Sequence, residues 1–218
     1  MTTSTFVLAR IDQLIIAGWT GRDQVAQERH IAELEKVGVK RPPMTPIYYR
    51  VSASRLTTAG TIEVPGGDSS GEVEFVIAQV DNRLWIGAGS DHTDRKVETY
   101  NITVSKQMCD KPVGGELWLF DELTAHWDRL ILRSWAVTDG NRRLYQQGSV
   151  TAMLHPRDTI ARYKDGGALK NGTAMFGGTL AAIGGIQPAD RFEFELEDPI
   201  LERRLAHGYD IRRLPVEG

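Results

Sequence analysis

Gly71-Glu72-Val73-Glu74-Phe75-Val76-Ile77 reads as a strand, because Val73, Phe75 and Ile77 alternate with Glu72 and Glu74. Residues two apart share a face, so both carboxylates project together, roughly 7 Å apart along the strand, with the apolar side chains opposite. A hairpin return through Asp81-Asn82 and Leu84–Ile86 would bring Ser90-Asp91 beside them. Three carboxylates held together without a counter-charge repel one another and shift their pKa values. A hard divalent cation such as Mg²⁺ removes that repulsion and prefers oxygen ligands. Spacing alone does not decide the matter. Phe192-Glu193-Phe194-Glu195-Leu196-Glu197 alternates in the same way, and reads as a strand with one core face and one solvated acidic face. On spacing alone, Glu72 and Glu74 fit that solvated role as well.

Composition sets the outer bounds. The chain has 218 residues, of which 41% are hydrophobic and 25% charged, as in an ordinary globular protein. That length suits one large domain. A net charge of -3 and scattered Lys and Arg give no basic stripe for nucleic acid. No apolar run is long enough to span a membrane, and the first residues do not read as a secretory signal. The single cysteine, Cys109, excludes an intramolecular disulfide and a cysteine metal cage; it reads as a buried thiol. A cytoplasmic setting is the expectation.

Twenty-two glycines and many short alternating segments indicate a sheet-rich α+β fold, predominantly β, with few short helices. Thr5–Leu8, Gln13–Ala17, Ile47–Val51 and Glu72–Val80 read as strands, as do Glu116–Phe120, Arg129–Val137, Arg143–Gly148 and Arg191–Glu197. Asp23 to Val37 reads as a helix, with Asp23 as N-cap, Gly38 at its end and Pro42-Pro43 beyond it. Gly87-Ala88-Gly89 is expected to end a strand. Arg95–Ser105 is left open between helix and irregular structure, and Thr151–Tyr163 is expected to contain a short helix broken at Pro156. Lys170–Gly185, small and glycine-rich, reads as a loop. Residues 1–60 read as an N-terminal portion with the helix, and 61–218 as a β-rich portion, together one continuous domain. Trp118, Trp127 and Trp135 are expected in the core or at an interface.

The order of these motifs resembles the fumarylacetoacetate hydrolase superfamily, specifically a branch whose function is not defined. Glu72-x-Glu74 precedes Gly89-Ser90-Asp91, Arg95 follows four residues after Asp91, then come Ser105-Lys106 and a late Gly177-Gly178-Thr179. His30-Ile31-Ala32-Glu33 lies on the expected helix, followed by Pro46-Ile47-Tyr48-Tyr49-Arg50. The resemblance implies a β-sandwich roll carrying a lid helix. It implies Glu72, Glu74 and Asp91 as ligands of Mg²⁺ (or Mn²⁺ or Ca²⁺), with Asp94 as the competing candidate. It implies His30 and Glu33 as a water-activating dyad and Lys106 as a catalytic cation. Arg95, Thr179 and His92 are implied as substrate contacts, with pairing to a ligand carboxylate the alternative for Arg95.

The implied activity is metal-dependent hydrolysis of a C–C bond in a small 2-oxo acid or 1,3-dicarbonyl, acylpyruvate-like compound, through a stabilised enolate. Decarboxylation, hydration or dehydration, and isomerisation are open at the same site. So is a non-catalytic binding role on the same fold. A homodimer is expected. The chain departs from the family pattern at Glu98, where Gln is usual, and at Gln107-Met108-Cys109 after the lysine.

Overall fold

The computed structural model describes residues 2–36, 41–42, 44–163 and 167–217, without the side chains of residues 30, 33, 34 and 36. The fold is predominantly β, as expected. One sheet has seven strands in the order Thr3–Thr5, Glu116–Leu119, Arg83–Ser90, Val73–Val80, Thr173–Thr179, Gln13–Gly18, Ile47–Val51. A second has five, in the order Asn141–Ser149, Ile131–Thr138, Arg191–Asp198, Arg203–Leu214, Thr61–Pro65. Two short ladders complete the set: Ser69–Ser70 pairs antiparallel with Thr93–Asp94, and Lys111–Pro112 pairs parallel with Leu56–Thr57.

The alternation in Val73–Val80 explains the layering. Val73, Phe75 and Ile77 join Phe192, Phe194, Leu196 and Tyr209 in one core. Val76 and Ala78, on the opposite face, pack with Leu14, Ile16 and Phe176 in a second core. Both faces of this strand are therefore buried. Glu74 shares the second face and is only 2% exposed, so the solvated-strand reading fails for it.

Asp81 and Asn82 both have positive φ, 52° and 59°, which is the type I′ geometry that matches strand twist in a two-residue hairpin. The return strand runs on through Gly87-Ala88-Gly89 instead of ending there. Gly89 lies where an added Cβ would sit 2.8 Å from the Phe176 ring, so its small size serves sheet packing. The expected loop over Lys170–Gly185 is likewise corrected. Thr173–Thr179 is buried along nearly its whole length and lies inside the seven-stranded sheet, between Val73–Val80 and Gln13–Gly18. At Gly177 a Cβ would fall 2.1 Å from the Phe75 ring, so the small residues that suggest a loop are what let the strand pack.

The N-terminal helix runs Gln24–Lys36, and the Asp23 carboxylate caps it by accepting from the N–H groups of Val25 and Ala26, each at 3.0 Å. Gly38 and Pro43 lie outside the described residues. Arg95–Ser105 resolves into two short helices, Arg95–Glu98 and Ile102–Met108. Pro156 begins a helix, Pro156–Tyr163, rather than breaking one, as suits a residue with no N–H to donate. The strand expected at Thr5–Leu8 is Thr3–Thr5, followed by a 3₁₀ turn at Leu8–Arg10. Among the described residues, no helix is long and apolar enough to cross a membrane.

Candidate functional site

The hairpin Val73–Val80/Arg83–Ser90 builds the site at its open end. The Asp91 N–H donates to the Glu72 carbonyl at 3.0 Å, and the Glu72 N–H donates to Ser90 Oγ at 3.3 Å. This fixes the backbone on both sides of the gap. Glu72, Glu74 and Asp91 each offer a carboxylate oxygen, and the three oxygens lie within 4.8 Å of one another. Asp94 is not part of this cluster. It caps the helix Arg95–Glu98 by accepting from the Val97 N–H at 2.8 Å.

The three carboxylates differ in their electrostatics. Burial raises the Glu74 carboxyl well above its ordinary value, and Asp91 and Glu72 push it further the same way. Burial also raises Glu72, against the pull of Arg95 and Lys106. Burial alone would raise Asp91, but Lys106 and Lys111 overcome it and hold that carboxyl below the usual range. Lys106 donates to Asp91 Oδ2, and its Nζ stands 5.8 Å from the Tyr49 ring centroid. Burial opposes its charge, yet Asp91, Glu72 and Glu98 hold it protonated to higher pH than usual.

Arg95 pairs with the Glu72 carboxylate. Its guanidinium lies 3.2 Å from Glu72 Oε1 while donating to Glu98 Oε2 at 2.8 Å and to Ser70 Oγ at 2.7 Å. Glu98, where the family pattern has Gln, thus balances Arg95. Glu74 is positioned from the other side by the Gly178 N–H, which donates to its Oε2 at 2.6 Å. Gly178 has φ 102°, and a Cβ there would lie 1.8 Å from Thr20 Oγ1. Only glycine suits that combination.

These groups open on a cavity of about 790 Å³, lined by Glu72, Glu74, Asp91, Arg95, Lys106 and Thr179 together with apolar residues such as Ile16, Tyr49 and Leu180. The helix Gln24–Lys36 contributes Ala26 and Gln27 to the lining, so it borders the cavity. The His30 and Glu33 side chains, on the same helix, lie outside the described residues. Thr179 Oγ1 donates to the Val73 carbonyl at 2.8 Å and accepts from Gln146 Nε2 at 2.8 Å. Its proton is committed to the fold, which leaves a single acceptor position toward the cavity.

His92 is corrected as a substrate contact. It is fully buried, is not among the cavity-lining residues, and bonds Tyr209 Oη through Nδ1 and Ser69 Oγ through Nε2, each at 2.9 Å. Burial, with Lys111 and Arg95 nearby, pushes it down to about 3, so it is a neutral structural imidazole. Cys109 is buried and free, and burial pushes its thiol up to about 11.

Two residues of the site carried no sequence signal. Gln146 accepts from the Val73 N–H and from Ser134 Oγ, each at 2.9 Å, and donates to Thr179 and to the Leu180 carbonyl. It thereby ties the two sheets together beneath Thr179. Lys111 is fully buried, with Nζ 3.1 Å from Asp91 Oδ1 and donating to the His92 carbonyl. A lone Lys or Gln within a strand has no periodicity of its own to mark it.

The donor set suits a hard divalent cation. Three carboxylate oxygens converge, and among the described residues no cation forms a salt bridge with Glu74, which Lys106 offsets only in part. Structural likeness then defines the fold. The chain has the fumarylacetoacetate hydrolase fold. Yeast ynq8, a fumarylacetoacetate hydrolase family protein, matches with a TM-score of 0.67 at 19% identity over 96% of each chain. 2-Keto-3-deoxy-D-arabinonate dehydratase complexed with magnesium and 2,5-dioxopentanoate matches with a TM-score of 0.64 at 18% identity, covering 94% of this chain and 75% of that one. Cg1458 matches with a TM-score of 0.66 at 15% identity, covering 94% and 77%. At such identities the likeness establishes the fold alone. No curated protein matches the chain in sequence. The family profile of DUF2848, a protein of unknown function, matches residues 17–209, and the chain belongs to that family.

Proposed function

We propose that the chain is a metal-dependent enzyme acting on a small 2-oxo acid or related 1,3-dicarbonyl compound, and that it hydrolyses a C–C bond in an acylpyruvate-like substrate. The observation that carries this reading is the convergence of Glu72, Glu74 and Asp91 in one cavity with Lys106 and Arg95. Mg²⁺, or Mn²⁺ or Ca²⁺, held by these carboxylates supplies Lewis-acid activation of a 2-oxo acid and acidifies the carbon beside its oxo group.

The chain's own groups do the rest. Lys106 presents an ammonium to a substrate carboxylate, and Arg95 steadies Glu72. Thr179 offers its remaining acceptor position to a substrate donor. On the lid helix, Glu33 orients His30, which takes a proton from the water that attacks the distal carbonyl. The C–C bond then breaks, and its electron pair stays on the carbon beside the oxo group. The working assembly in this proposal is a homodimer.

A second reading is dehydration of a 2-oxo acid at the same groups. The likeness to the magnesium-complexed 2-keto-3-deoxy-D-arabinonate dehydratase favours it.

The first experiment is a thermal-shift titration with Mg²⁺ and Mn²⁺. Wild type is stabilised, and Glu72→Ala and Asp91→Asn lose the response. No response in wild type removes the foundation of the enzymatic reading. Turnover of acylpyruvates and oxaloacetate with and without EDTA then separates hydrolysis from decarboxylation, and a 3-deoxy-2-oxo sugar acid tests dehydration. His30→Ala is expected to lower turnover far more than metal affinity; equal loss of both would end its role as a base.

A further inference from the structure

The charge arrangement around Asp91 assigns a role to Lys111. Each oxygen of Asp91 is held by a different lysine: Oδ2 by Lys106 and Oδ1 by Lys111. The two approach from different environments. Lys106 lines the cavity, whereas Lys111 does not and is fully buried behind it. The segment that carries Lys111 is fixed by backbone bonds. Lys111–Pro112 pairs with Leu56–Thr57, the Val113 N–H donates to the Thr57 carbonyl, and the Gly114 N–H donates to the Ala88 carbonyl of the strand leading to Asp91, both at 2.9 Å. A buried ammonium is costly unless a nearby anion offsets it, so its position is tied to that of Asp91.

We propose that Lys111 is the resident counter-ion of the cation site. It pins Asp91 Oδ1 while Lys106, which lines the cavity, holds Oδ2, so the carboxylate is fixed in place before a cation enters. It also offsets part of the acidic charge before that cation arrives, so the centre is preformed without it. Glu72, Glu74, Asp91 and Glu98 are set against Arg95, Lys106 and Lys111, and removing Lys111 leaves the centre short of a cation that a divalent ion can replace. The inference rests on the metal reading above.

The test uses Lys111→Met and the double variant Lys111→Met/Asp91→Asn in the full chain, with metal-free melting temperature and Mg²⁺ affinity as readouts. Lys111→Met should lower the metal-free melting temperature by on the order of 10 °C, since one partner of a buried pair is lost. It should bind Mg²⁺ about tenfold or more tightly than wild type, because the unopposed charge attracts the cation. In the Asp91→Asn background the same substitution should cost little stability. Unchanged or weaker Mg²⁺ binding in Lys111→Met overturns the inference. So does an equal stability loss in both backgrounds, which would mean that Lys111 only fills space. If Lys111→Met does not fold, recovery of folding in the double variant supports the proposal and failure to recover overturns it. Absence of any Mg²⁺ response in wild type overturns the metal reading itself; a wild-type response with no gain in Lys111→Met overturns only the role of Lys111.

Discussion

Glu74→Gln separates a metal site from a merely acidic one, because the substitution should stabilise the metal-free protein. Glu74 is buried, and its oxygen lies within 4.8 Å of the nearest carboxylate oxygens of Glu72 and Asp91. At that separation and an effective dielectric of about 20, each like-charge pair costs about 3.5 kcal/mol. Lys106 offsets part of this, and glutamine keeps an acceptor for the Gly178 N–H. A net gain of about 1–3 kcal/mol is expected, or about 3–10 °C in melting temperature for a chain of this size.

The sign with pH follows from the direction of the shift. Burial and its acidic neighbours raise the folded Glu74 carboxyl above 4.5. The penalty is therefore fully present above the folded value and vanishes as pH falls toward 4.5, where wild type also carries the proton. The stability gap between variant and wild type should be widest near neutral pH and close on acidification. The assay is differential scanning fluorimetry from pH 8 to 5, with and without Mg²⁺. Two outcomes refute the reasoning: a metal-free Glu74→Gln protein less stable than wild type, or a variant that still gains stability from Mg²⁺ as wild type does.

Gly178→Ala must place a Cβ 1.8 Å from Thr20 Oγ1 at φ 102°, so it should cost about 2–4 kcal/mol by urea unfolding and blunt the Mg²⁺ response by moving the N–H that holds Glu74. Tyr209→Phe removes the hydroxyl shared by Ser90 Oγ at 2.8 Å and His92 Nδ1 at 2.9 Å; it should cost about 1–3 kcal/mol by the same method while the Mg²⁺ response survives. Arg95→Lys keeps the charge but not the fork that joins Glu72, Glu98 and Ser70, and should weaken substrate and Mg²⁺ binding more than it lowers melting temperature. Cys109, buried with its thiol pushed up to about 11, should resist a disulfide-exchange reagent at pH 8 until denaturant is added.

What the sequence made legible follows from range. The hairpin at Asp81-Asn82, the strand Ile47–Val51 and the helix capped by Asp23 depend on near neighbours, and each lies where the local pattern puts it. Arg203–Leu214 was not legible. Leu205 and Tyr209 are its buried residues, spaced too widely among polar ones to signal a strand, and it is held by Arg191–Asp198 on one side and Thr61–Pro65 on the other. Thr173–Thr179 failed for the opposite reason: its small residues are a response to Phe75, which is distant in sequence. Lys111 and Gln146 likewise have meaning only through Asp91, Val73 and Thr179.

The two acidic strands show why spacing could not settle the site. Glu195 pairs across its ladder with Arg133 and Glu197 with Arg204, and both carboxylates are ion-paired to those arginines. Glu193 is held by Arg142 at 2.7 Å and by Arg191 at 3.0 Å. Every charge on that face is thus answered by the sheet itself, and the solvated face expected there is an Arg–Glu lattice. Glu74, by contrast, faces Gly89 on one neighbouring strand and Thr179 on the other, neither of them a cation. Two more carboxylates, brought there by the hairpin, offer oxygens within 4.8 Å of its own. The same alternation therefore yields a structural lattice where the adjoining strands supply arginines. Where they supply glycine and threonine, it leaves Glu74 in a carboxylate cluster that Lys106 offsets only in part.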